Sequence, residues 1–181
     1  MERLLAISAI ALAVPAVSMA EPITQPLTVA VTINGTVEAR CSLANVDDTG
    51  AIFDLGEMIG DNGKLRPDLS APPVEIAASW CNSASRINVE ADPLEAITSV
   101  PTLPANFSDR VNFTAAVSGW TSSPATYDTA AGPGASSSQV SAGPVAGGYE
   151  ISIADFATEN GDNYLLADAY KGEVRVTIAP Q

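Results

Sequence analysis

Histidine is absent from this 181-residue chain. That removes Ser–His–Asp and Cys–His nucleophilic relays. It also makes the two cysteines a poor zinc site, since no imidazole can complete the ligand set. Basic residues are scarce: 8 Lys and Arg stand against 21 Asp and Glu, for a net charge of −13. Such a surface repels nucleic acid and anionic lipid, so neither is expected as a partner. Aromatic residues are few, at 6%. Also missing are a Gly-x-Ser-x-Gly elbow, a Walker loop and a dinucleotide fingerprint. The carboxylates are dispersed over alternating segments and turns, which reads as solubility rather than as a glycosidase pair. Asp61-Asn62-Gly63 and Glu159-Asn160-Gly161-Asp162-Asn163 lack the closing Glu of a calcium loop, and Asx turns account for them. The sequence therefore predicts no catalytic residues, no metal and no cofactor: a protein that is not an enzyme.

The chain opens with Met1-Glu2-Arg3, an apolar run from Leu4 to Val17 and the small residues Ser18-Met19-Ala20. This is the pattern of a secretory leader cleaved after Ala20, and the run is short for a membrane span. No later stretch is long and apolar enough to cross a bilayer, so the mature chain is expected to carry no span. Export is expected to lead to the periplasm and then to the cell surface or the medium. In an oxidising compartment an isolated cysteine pair is most simply a disulfide, so Cys41 and Cys81 are predicted to be joined.

What the mature sequence has is period two. Leu27, Val29, Val31 and Ile33 alternate with Thr28, Ala30, Thr32 and Asn34. Ile87 and Val89 alternate with polar neighbours, as do Tyr149, Ile151 and Ile153, and again Val174, Val176 and Ile178. Short, β-branched, alternating runs bounded by Gly, Pro, Asn or Asp are half-buried antiparallel strands. Further strands are expected at 36–42, 51–55, 74–80 and 110–117. Residues 56–73 and 119–148 read as long loops, the second mobile and rich in Ala, Ser, Gly and Pro, with one weak strand near 138–142. Residues 164–170 read as a loop ending in a turn at Asp168. Trp80 is expected to pack on the disulfide in the core, and Trp120 to anchor a loop. The number and spacing of strands predict an all-β, immunoglobulin-like antiparallel sandwich.

The run Ile33-Asn34-Gly35-Thr36-Val37-Glu38-Ala39-Arg40-Cys41-Ser42-Leu43 resembles the start of chaperone–usher pilins and of the related secreted spore coat protein U domain. Phe53-Asp54-Leu55-Gly56 is similar to the Phe-x-Leu-Gly that follows the first Cys in those proteins. Leu165 to Ile178, with Tyr170 and Gly172 within it, resembles their final loop and last strand. Residues 93–148 are not covered. Asp168 replaces the usual Gly of the turn before the final Tyr, and Asp tolerates a left-handed backbone there. The end, Ala179-Pro180-Gln181, lacks the penultimate Tyr of pilins that use a dedicated chaperone, which leans toward the coat-protein-like branch.

The resemblance implies a sandwich that lacks its last strand and is completed by a neighbour's N-terminal strand. On that reading residues 1–20 are the signal peptide, 21–35 an N-terminal extension and 36–181 the sandwich domain. Leu27, Val29, Val31 and Ile33 are then the candidate donor strand. The implied function is a non-catalytic structural subunit of a fimbria-like or coat-like surface assembly. Its partners would be copies of itself or homologous subunits, with a periplasmic chaperone and an outer-membrane usher as candidates. Alternation alone leaves two readings open, because it shows a buried face and not whose core buries it. Residues 27–33 equally suit the first strand of a self-complete sandwich, and the chain then suits an adhesin or a carbohydrate- or protein-binding domain. Asn34-Gly35-Thr36, Asn106-Phe107-Ser108 and Asn112-Phe113-Thr114 match the N-glycosylation triplet. The resembled families are bacterial, so no modification is expected.

Overall fold

A computed structural model describes residues 28–44, 51–98, 101–132, 137–161 and 163–181. The leader and Leu27 lie outside the described residues. The chain divides into two units, Met1–Thr36 and Val37–Gln181. In the first, residues 28–36 carry no regular secondary structure. The second is an all-β, immunoglobulin-like sandwich, and no helix among the described residues is long and apolar enough to cross a membrane.

Its elements are β1 (Cys41–Ser42), β2 (Val74–Cys81), β3 (Ser85–Ala96), β4 (Phe107–Ser108), β5 (Arg110–Ser118), β6 (Ala125–Asp128), β7 (Ser137–Val140), β8 (Val145–Thr158), β9 (Tyr164–Leu165) and β10 (Tyr170–Pro180). One 3₁₀ turn, Thr129–Ala131, follows β6. Alternation along each strand is what buries them. In β5, Val111, Phe113, Ala115 and Val117 point inward while the residues between them do not. In β3, Ser85, Ile87, Val89 and Ala91 do the same. Successive strand residues face opposite sides, so each run offers one apolar face to a common core.

The strands run β1-β2-β8-β5 on one side and β3-β10 on the other, all antiparallel. The sides join where Leu94 meets Val111 and Glu95 meets Arg110. Beyond that junction β5 and β3 splay, and two short strands fill the gap. β6 pairs with β5, β7 pairs with β3, and the Thr126 N–H donates to Ser137 Oγ at 3.1 Å between them. Within the stretch 119–148, whose composition suggests a mobile loop, residues 125–128 and 137–140 are therefore paired strands. Ala125 and Tyr127 of β6 enter the core, and Thr129 of the 3₁₀ turn is buried.

Bulges bend three strands. One shift lies in β2 between Ile76 and Ser79, with Ala78 at φ 58°. A second lies in β8, with Asp155 at φ 55° opposite the shift between Asn112 and Thr114. The Phe113 N–H at that shift donates to the buried Thr129 Oγ1 at 2.9 Å, so the side chain satisfies a group near an irregular ladder. The third lies in β3 opposite Gly172, where a Cβ would stand 2.9 Å from both the Asp92 and Pro93 carbonyl oxygens. Only glycine lets the strands approach so closely.

Cys41 and Cys81 are joined and sit opposite each other where β1 pairs β2. Two expected strands are shorter than the sequence suggests. Of residues 36–42 only Cys41 and Ser42 pair, and 51–55 form no strand, although Phe53 and Leu55 still pack against the core. The two tryptophans also sort differently from expectation. Trp80 is 42% exposed, because its neighbour Cys81 faces inward and adjacent strand residues cannot share a face. Trp120 is the core tryptophan. It donates from Nε1 to Ser85 Oγ at 3.1 Å and meets Tyr149 edge-on, with ring centroids 6.1 Å apart.

Candidate functional site

β10 is the last strand of its side, and among the described residues it pairs with β3 alone. The Gln181 N–H donates to the Ala84 carbonyl at 2.9 Å, one step beyond the Pro180–Ser85 register pair. Hydrogen-bonded and non-bonded pairs alternate in an antiparallel ladder. Residues 175, 177 and 179 therefore bond toward β3, while 174, 176 and 178 turn their N–H and C=O groups to the opposite edge. Pro180 falls in that outward set, where its missing N–H removes no ladder bond.

The side chains at the same outward positions are Val174, Val176 and Ile178. They pack against the core yet stay only partly buried. Their register partners on β3, Ala91, Val89 and Ile87, are 5%, 0% and 0% exposed. Chemistry does not separate the two sets; position does, since β3 has strands on both flanks. β1 lies close to β10 on this open side without pairing to it. Among the described residues the result is an edge with unpaired backbone groups beside half-covered apolar side chains, the geometry that accepts an added strand.

The candidate donor segment has the complementary character. Val29, Val31 and Ile33 are 83%, 78% and 91% exposed. None lies in a strand. Leu27, the fourth member of the set, lies outside the described residues. Just downstream, Asn82 bonds residues 38–40 through both its side chain and its backbone. Asn82 Oδ1 accepts the Arg40 N–H at 2.6 Å, and Asn82 Nδ2 donates to the Glu38 carbonyl at 2.8 Å. The Asn82 backbone N–H donates to the Arg40 carbonyl at 3.0 Å. The carboxamide acts as a surrogate peptide unit and prolongs the two-residue pairing of β1. The sequence offered no signal for it beyond an Asn next to a cysteine.

The turn before β10 is held by charge. The Asp168 carboxylate accepts from the Thr98 N–H at 2.6 Å and the Ala169 N–H at 2.7 Å. The Thr98 bond holds its carboxyl below the usual carboxylate range. The backbone at Asp168 is not left-handed, so the residue serves as a hydrogen-bond acceptor and not as a glycine substitute. Burial pushes the Tyr170 hydroxyl up, with Asp109 and Asp168 adding to the effect. That hydroxyl donates to the Leu166 carbonyl at 2.9 Å.

A cleft of about 450 Å³ lies between the start of β10, the β3 bulge and the 3₁₀ turn, lined by Asp92, Glu95, Arg110, Thr129 and Glu173 among others. Its charges are largely matched. Arg175 pairs with Asp92 at 2.5 Å and Glu173 at 3.2 Å, and Arg110 lies 3.6 Å from Glu159 and 4.0 Å from Glu95. Arg110 Nε is buried without a hydrogen-bond partner. Among the described residues no group of three or more acids or cysteines could hold a metal. At Asp61-Asn62-Gly63, Asn62 Oδ1 accepts the Lys64 N–H at 3.0 Å, which is an Asx turn.

No family model matches the chain, and no curated protein and no solved structure matches it.

Proposed function

We propose that the protein is a non-catalytic, exported structural subunit that polymerises by strand donation into a fimbria-like or coat-like surface assembly. Residues 27–33 of one copy add to β10 of the next. The observation that carries this reading is the match between an exposed alternating apolar segment and a strand edge whose own apolar side chains remain half-covered. Burying Val29, Val31 and Ile33 contributes roughly 5–9 kcal/mol gross, at about 1.5–3 kcal/mol for each side chain. Backbone pairing to 174, 176 and 178 adds direction. The oxidised Cys41–Cys81 bond and the acidic surface suit a protein that works outside the cytoplasm.

The experiment is native size analysis of mature protein, residues 21–181, with and without a peptide of residues 23–33. Strand donation predicts ladders or filaments that shorten as the peptide caps free edges. A strict monomer untouched by the peptide overturns the proposal.

A second reading, a self-contained adhesin, draws on surface aromatics. Trp80 stands out from its sheet, and Phe107 and Tyr164 lie 5.6 Å apart with both rings part-exposed. Aromatic faces of this kind stack on sugars. Glycan binding by a monomer would favour it.

A further inference from the structure

We infer that Asn82 is a positioning residue for strand donation: its carboxamide fixes residues 38–40, the base from which the donor segment continues, and so governs assembly more than folding. The inference rests on the strand-donation reading. Residues 37–40 are exposed throughout, and Val37 is 89% exposed, so packing does not hold them. Among the described residues, apart from the Glu38–Arg40 pair within the segment, the hydrogen bonds of Glu38 and Arg40 go to Asn82. Those bonds come from one residue at a turn. A backbone strand would need several residues to give the same pinning.

The physical consequence is preorganisation. A segment whose base is already fixed loses less conformational freedom when a neighbour captures it. Releasing residues 38–40 leaves the receiving edge untouched, because β10 and β3 do not contact Asn82 through any of these bonds. Donor and receiver functions therefore separate at this residue, and a merely structural role would not separate them.

The test uses the full mature chain. Asn82→Ala removes both side-chain bonds, and Asn82→Asp keeps the acceptor for the Arg40 N–H while losing the donor to the Glu38 carbonyl. Three quantities are measured for each: polymerisation rate, the concentration of 23–33 peptide that halves polymer length, and exchange of the Arg40 amide proton. Two exposed hydrogen bonds convert to an effect of about tenfold. Asn82→Ala should polymerise about tenfold more slowly, with faster Arg40 exchange, an unchanged capping concentration and a melting temperature within a few degrees of wild type. Asn82→Asp should fall between the two. Faster Arg40 exchange with wild-type polymerisation overturns the inference, as does a parallel loss of capping and of thermal stability. A wild-type chain that neither polymerises nor responds to peptide defeats the strand-donation reading itself, which is a different result.

Discussion

The two sides of the sandwich are finished in different ways. Where β3 and β5 splay, β6 and β7 close the gap, and Ile87 and Val89 are sealed from solvent. Where β10 ends the sheet, no described residue pairs with its outer edge, and Val174, Val176 and Ile178 stay half-covered. The residues are of the same kind on both sides. Closure is thus a property of the neighbours, and a strand with a good apolar face can still be unfinished. The open side relies instead on a covalent bond, since β1 contributes only two paired residues and the Cys41–Cys81 link.

The largest effect should come from removing that bond. Replacing Cys41 and Cys81 with Ser together should cost about 4 kcal/mol, from the loop entropy of a 40-residue separation. Denaturant titration measures it, and a loss near zero would mean that pairing alone secures the open side. Next is a matched pair across the β3–β10 ladder, where Ile87 faces Ile178. Ile87→Ala should cost about 3 kcal/mol and Ile178→Ala about 1 kcal/mol, because only the first leaves a sealed cavity. Equal costs would show that the open side is already closed.

Much of the sandwich is legible because period two needs only the chain itself. β3, β8 and β10 fall on runs read from alternation, and β2 and β5 on the further strands expected at 74–80 and 110–117. β6 and β7 are less so, since Ala125-Thr126-Tyr127-Asp128 and Ser137-Ser138-Gln139-Val140 have low apolar content and are made strands by the splayed edges they fill. The outward turn of Trp80 was available from its adjacency to Cys81, and the expectation of a core position ignored it. Asn82 was not legible, because a turn Asn has many uses and only the structure shows residues 38–40 within its reach. The outer edge of β10 was not legible, since alternation in β10 is the same whether or not another strand lies beyond it.

Smaller effects sharpen the contrast further. Gly172→Ala, at the bulge where β10 meets β3, should cost about 1–3 kcal/mol by forcing the strands apart. Gly143→Ala meets nothing within 4 Å and should be neutral or slightly stabilising. Comparing their thermal midpoints checks whether the bulge is a tight approach. The smallest effect concerns acid. Asp168 has a folded pKa below its unfolded value, so its contribution is present above about pH 4 and is lost as pH falls through the folded value. Asp168→Asn should flatten the acid limb of the stability curve, and an unchanged limb would show that the turn before β10 does not depend on that charge.

The most direct test of strand donation places one charge on each face of the extension. Val31→Asp puts an unpaired carboxylate where the account buries an apolar side chain, and Thr32→Asp puts it on the opposite face. Light scattering of the two mature proteins under identical conditions gives their sizes. Strand donation predicts monomers from Val31→Asp and polymers from Thr32→Asp, whereas equal sizes from the two would contradict it.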